Sequence, residues 1–96
     1  MKLFLDDVRD CPEGFTLCRT VGQAKHYLFS GKVVFISFDH DLGENQSSGY
    51  DLATFIENLV YYKLIKCPDW DIHSANPVGR KNIAAAMNNA WKFANN

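Results

Sequence analysis

Val33-Val34-Phe35-Ile36-Ser37-Phe38-Asp39-His40-Asp41-Leu42-Gly43 is an apolar run that ends abruptly in ionisable groups. Its first six residues are apolar except for Ser37. The run is too continuous for a half-exposed strand and too short for a helix, so it predicts a strand buried on both faces of a parallel sheet. Asp39, His40 and Asp41 then stand where the chain leaves that sheet. In open parallel α/β sheets, ligands bind outside the carboxyl ends of the strands, where connecting loops carry polar groups that the interior would exclude. The Asp-His-Asp sequence therefore falls where a site belongs.

The same pattern recurs on either side. Residues 2–5 read as a short buried strand that ends in Asp6-Asp7, and residues 15–19 have strand composition after a turn-rich link containing Pro12 and Gly14. Thr20 and Gln23 match a capping box, and Val21, Ala24 and Leu28 give helical spacing up to a stop at Gly31. Ser48 and Asp51 repeat the capping pattern ahead of Leu52, Phe55, Ile56 and Leu59. Residues 70–74 read as a strand ending in His73 and Ser74. Asn76-Pro77 then starts a final helix with Ile83, Ala86, Met87, Ala90 and Trp91 on one face. This alternation predicts an α/β domain with a mostly parallel sheet of four strands.

Composition narrows the function classes. With 96 residues, 47% of them hydrophobic, the chain has room for one core and one domain, residues 1–96. A net charge of −1 lacks the basic excess of a general nucleic-acid or membrane-surface binder. Asp6 and Asp7 interrupt the amino terminus before a signal-peptide apolar region forms, and no stretch is long enough to span a bilayer, so the expected location is the cytoplasm. Three cysteines without a Cys-x-x-Cys pair fit reduced thiols.

Three strand ends thus carry Asp6 and Asp7, then Asp39, His40 and Asp41, then His73 and Ser74. Each Asp alone has an ordinary role as turn former or cap, and Ser74 and Asn76 can simply shape the turn into the last helix. Brought together they form a pocket. Carboxylates at about 4 Å repel by about 1 kcal/mol in water and about 4 kcal/mol at a protein-surface dielectric, so the cluster calls for a cation or a shared proton. Oxygen-rich sites suit magnesium or manganese, and adjacent imidazoles leave manganese or iron open. Convergence of Asp6 with Asp7 requires the chain to be turning, because neighbouring strand residues point to opposite faces. At the start of the last helix, free N–H groups, Gly79 and Arg80 make a candidate anion site.

Two Asp after a first strand, an Asp after a later strand, a Gly-x-Asp-Leu helix start and a Ser after the next strand together resemble a response-regulator receiver domain. On that resemblance Asp6 and Asp7 match the metal-binding acidic pair, Asp39 the phosphoacceptor and Ser74 the hydroxyl residue. The first helix is reduced to a loop, the fifth strand with its Lys has no counterpart, and His40 directly after Asp39 is foreign to ordinary receivers. Those departures, with Leu-Phe-Leu-Asp-Asp-Val-Arg at 3–9, Ile-Ser-Phe-Asp-His-Asp-Leu-Gly at 36–43 and His-Ser-Ala-Asn-Pro-Val-Gly-Arg at 73–80, are similar to the divergent cyclic-phosphate-processing receiver family. The resemblance implies a small receiver-like (flavodoxin-like) three-layer domain with strand order 2-1-3-4, its first and fifth helices reduced or absent.

The function expected from residues and resemblance together is a metal-dependent phosphoesterase acting on a cyclic phosphate, either an RNA end or a nucleotide derivative. Asp6, Asp7 and Asp39 hold the magnesium or manganese ion. His40 and His73 move protons, with Asp39 and Asp41 in the catalytic set, and Arg9, Ser74, Asn76, Gly79 and Arg80 hold the phosphate. Covalent attack by Asp39 is a second route. The alternatives are a receiver phosphorylated on Asp39 that binds a protein partner, and a catalytically silent interaction domain.

Overall fold

Every helix in the chain starts on a side chain that accepts a backbone N–H group. Thr20 accepts from the Gln23 N–H at 3.2 Å, Ser48 from the Asp51 N–H at 3.3 Å and Asn76 from the Gly79 N–H at 2.9 Å. At Ser48 the box is reciprocal, since Asp51 accepts from the Ser48 N–H at 2.7 Å. At Thr20 it is not: the Gln23 amide reaches one residue further back, to the Arg19 N–H at 2.7 Å.

The structure, a computed structural model, describes residues 1–95, so residue 96 of the expected 1–96 domain lies outside the described residues. Among them the order is β1 (Lys2–Leu5), β2 (Thr16–Cys18), α1 (Val21–Leu28), β3 (Phe35–Phe38), α2 (Gly49–Tyr61), β4 (Asp69–Ile72) and α3 (Pro77–Ala94). The strands form one parallel sheet in the order β2-β1-β3-β4. Fold class and strand order are those expected.

Topology decides where the helices lie. The crossovers β2-α1-β3 and β3-α2-β4 step across the sheet in the same direction, and right-handed connections then place both helices on one face. There α1 and α2 join α3 over Leu3, Leu5, Cys18, Ile36, Phe38 and Ile72, with Leu28, Leu52, Ile56, Ile83 and Met87 completing the core. Each fully buried Leu, Ile or Phe contributes roughly 1.5–3 kcal/mol. The step from β1 to β2 runs the other way, and its connection, residues 6–15, holds no helix. The third layer of the expected architecture is therefore only this loop, whose Phe15 ring packs edge-on against Phe4 and Phe35 at 6.1 and 6.0 Å.

The deciding strand is shorter than its apolar run. Val33 and Val34 precede β3, and Val34 is 60% exposed although its backbone bonds to Met1 on one side and Asp69 on the other. At the opposite end of the sheet His73 and Ser74 lie just past β4. The cysteines are unpaired, and burial pushes the Cys18 thiol up to about 11.

One close approach fixes how β3 leads into the site. A Cβ on Gly49 would sit 1.9 Å from the Asp39 carbonyl oxygen, and the Gly49 N–H donates to the His40 carbonyl at 2.9 Å. Replacing Gly49 with Ala must therefore push α2 away from the Asp39-His40 backbone. Overpacking of this kind costs about 2 kcal/mol, which in a domain of this size lowers Tm by roughly 8–16 °C. A thermal melt of Gly49→Ala checks this, and an unchanged Tm would refute the tight junction.

Candidate functional site

Register places the site. Leu5, Phe38 and Ile72 are cross-strand partners facing the helices. The ladder continues one residue further, with the Asp39 N–H donating to Leu5 and the His73 N–H to Phe38. The next row is thus Asp6, Asp39 and His73, on the helix-free face. One ligand atom from each lies within 4.8 Å of the others.

Asp6 is buried and fully engaged. Its Oδ1 accepts from the Val8 and Arg9 N–H groups at 2.9 and 2.8 Å, turning the chain away from β1. Its Oδ2 lies 3.0 Å from His73 Nε2 and 3.7 Å from Arg9 Nε. Burial by itself would raise the Asp6 pKa; the Arg9 and Val8 N–H groups and His73 outweigh it and hold the carboxyl below its ordinary value. An ionised carboxylate only accepts, so a neutral His73 ring carries its proton on Nε2, and Nδ1 then accepts from the Ser37 hydroxyl at 2.7 Å. Phe4 stacks flat on the His73 ring, centroids 4.3 Å apart and planes 5° from parallel. Asp39 is half-buried, and its Oδ1 accepts from the His40 N–H at 2.8 Å.

A second group lies at the start of α3. His40 Nδ1 is 3.1 Å from Asp41 Oδ1, and Asn76 Nδ2 donates to Asp41 Oδ2 at 3.2 Å. Asn76 and His40 together hold the exposed Asp41 carboxyl below its ordinary pKa. The His40 ring lies against Gly79, where a Cβ would come within 2.3 Å of its Cγ.

The expected site residues divide accordingly. Asp6, Asp39 and His73 converge, with Arg9 beside them; its guanidinium is about half exposed and also reaches the His73 carbonyl at 3.3 Å. Asp7 is not in the row: it lies in the bend that follows β1, one carboxylate oxygen 3.9 Å from where a Cβ on Gly43 would sit. Ser74 is buried and accepts from the Asn76 N–H at 3.1 Å. The Gly79 N–H is taken by Asn76, and its open side is covered by His40. Arg80 donates to the carbonyls of Ile72 and Ser74 at 2.9 and 3.0 Å, tying the end of β4 to α3.

Three residues of the arrangement were not among the sequence candidates: Ser37, Phe4 and Arg19. Ser37 was visible as the lone polar side chain in the apolar run, and strand parity puts it and Phe4 on the same face as Asp39 and Asp6. Arg19 carried no signal; its Nη1 donates to the carbonyls of Asp6 and Arg9 at 3.3 and 2.8 Å, clasping the loop that replaces a crossover helix.

The sequence profile of the Cyclic-phosphate processing Receiver domain matches residues 1–89. The chain belongs to that family. No curated protein and no solved structure gives a significant match. The family description connects this receiver domain with cyclic-phosphate processing, and a receiver fold is one that a protein partner can read. No described helix is long and apolar enough to cross a membrane.

Within this receiver the depressed Asp6 pKa makes a prediction with a definite sign. The folded value lies below the unfolded value of about 3.9, so Asp6 stabilises the fold at neutral pH and that contribution is lost as pH falls below about 4. Asp6→Asn should be less stable than wild type near pH 7, with the gap closing in acid. Denaturant unfolding across pH measures both, and a gap that widens in acid would contradict the assignment.

Proposed function

We propose that this receiver domain hydrolyses a cyclic phosphodiester, an RNA end or a nucleotide derivative, with a divalent cation held by the row Asp6, Asp39 and His73. The observation that carries the reading is the row itself: two carboxylates and an imidazole from three adjacent strand ends, converging within 4.8 Å beside an exposed guanidinium. The donors fit such an ion. Two oxygens and one nitrogen suit manganese and comparable ions, and a magnesium ion would rely more on the carboxylates and water. Asp6 Oδ2 and Asp39 supply the charge, and His73 takes the third position, the one expected of Asp7.

When bound, the ion would neutralise phosphoryl charge and lower the pKa of a bound water. The chain's own groups do the remainder. Arg9 is positioned to hold a non-bridging phosphate oxygen, and its planar fork suits that geometry. His40 is the proton mover. Asp41 keeps the proton on Nδ1, which leaves Nε2 free to take a proton from the attacking water and return it to the departing oxygen. Water adds to phosphorus, one ring P–O bond breaks, and the product is a phosphomonoester with a free hydroxyl.

The test is turnover of 2′,3′-cyclic nucleoside monophosphates with magnesium or manganese. Asp39→Asn should abolish it, and His40→Ala should lower kcat by about 10²-fold or more. Stable phosphorylation of Asp39 by a small phosphoryl donor, without turnover of any cyclic phosphate, would replace this reading with a phosphoryl-accepting receiver.

A further inference from the structure

Ser37 is 8% exposed, in the middle of the strand beneath the site, and the proton movers and phosphate contacts proposed above make no use of it. Its position explains its size. His73 follows β4 and Asp6 follows β1, and β3 runs between them. Strands lie about 4.8 Å apart, so the His73 ring must span roughly 9–10 Å over β3 to reach Asp6. It does so over Ser37, where a Phe or Ile like its neighbours in β3 would stand in the way.

Its hydroxyl explains more. His73 Nε2 lies 3.0 Å from Asp6 and Nδ1 2.7 Å from the Ser37 hydroxyl, so a neutral ring facing an ionised Asp6 carries its proton on Nε2 and accepts from Ser37 at Nδ1. A cation in the row needs the Nε2 lone pair. The ring then remains neutral only if its proton moves to Nδ1, where it must find an acceptor. A hydroxyl serves both states, because it donates to Nδ1 in the first and accepts from Nδ1–H in the second. A carboxylate would serve only the second state, and an alanine neither. Phe4, stacked on the ring at 4.3 Å, keeps the ring plane fixed while the proton changes nitrogen.

We propose that Ser37 is a positioning residue that lets His73 exchange tautomers, so that one imidazole holds Asp6 when no cation is bound and ligates the cation when one is. No proton is gained or lost overall by the ring: Nε2–H is given up, Nδ1–H is formed, and the Ser37 hydroxyl turns from donor to acceptor. The inference rests on the row as a cation site and not on the hydrolytic reaction. Metal-ligating histidines commonly donate their other N–H to such a partner, and removing the partner typically weakens metal affinity 10–100-fold.

The experiment follows the His73 ring nitrogens by ¹⁵N NMR in the full chain, at mildly alkaline pH, with Zn²⁺ as a diamagnetic probe. Wild type should show an Nε2–H tautomer without Zn²⁺, and a metallated Nε2 with Nδ1–H once Zn²⁺ is bound. Ser37→Ala keeps the passage open but removes the hydroxyl. It should raise the Zn²⁺ Kd measured at His73 by about 10–100-fold while Tm shifts by only a few degrees. Retention of Nε2–H at saturating Zn²⁺ in wild type, or equal affinity in Ser37→Ala, would overturn the proposal. The tautomer exchange is observed on wild type, so that half of the test does not depend on the variant folding. Exchange without cyclic-phosphate turnover would refute the hydrolytic reading alone; turnover without exchange would refute this one alone.

Discussion

The site is organised by one buried carboxylate. The Asp6 side chain is 1% exposed yet held ionised, a state that is costly by several kcal/mol unless every lone pair is met. Its partners come from two places: N–H groups of the loop that follows β1, and an imidazole from beyond β4. Satisfying Asp6 therefore does two structural jobs at once. It bends the chain sharply out of the sheet, and it ties β1 to β4 across the strand between them. Asp39, on that middle strand, is drawn into the same row by register alone.

Much of this was legible because strand ends and helix starts carry local chemistry. Thr20, Ser48 and Asn76 announce the helices through their side chains, and each strand end is marked by the change from apolar to ionisable residues. Strand order depended on resemblance, since nothing local distinguishes one strand neighbour from another. The converging row departs from the expected acidic set at one position for a physical reason. Asp6-Asp7 looks like a pair in sequence, but the ladder that aligns Asp6, Asp39 and His73 does not reach Asp7, which lies in the bend after β1. Counting parity outward from Leu5, Phe38 and Ile72 selects Asp6, Asp39 and His73, and counting back selects Phe4 and Ser37. Arg19 was beyond reach, because a long side chain donating to two loop carbonyls has no sequence period.

The helix missing between β1 and β2 has consequences throughout the site. A crossover helix would have covered Phe4, Phe35 and Ser37 and fixed the start of the Asp6 loop by its own backbone bonds. Here three smaller devices take its place. Phe15 covers the aromatic face, Asp6 makes a side-chain turn over Val8 and Arg9, and Arg19 clasps the carbonyls of Asp6 and Arg9. The result leaves the Arg9 guanidinium about half exposed beside the row instead of packed beneath a helix.

The two histidines show how surroundings separate roles that residue type leaves identical. His73 is gripped on both nitrogens and on one ring face, by Ser37, Asp6 and Phe4. His40 is gripped on one nitrogen, by an Asp41 carboxylate that is itself 71% exposed, and its ring rests on a glycine that offers no side chain. Its Nε2 has no hydrogen-bond partner among the described residues. One nitrogen oriented and the other unclaimed is an arrangement suited to a general acid or base, and His40 has it. Gly79 is part of the same arrangement: its N–H is taken by Asn76, and the His40 ring lies where a side chain would be.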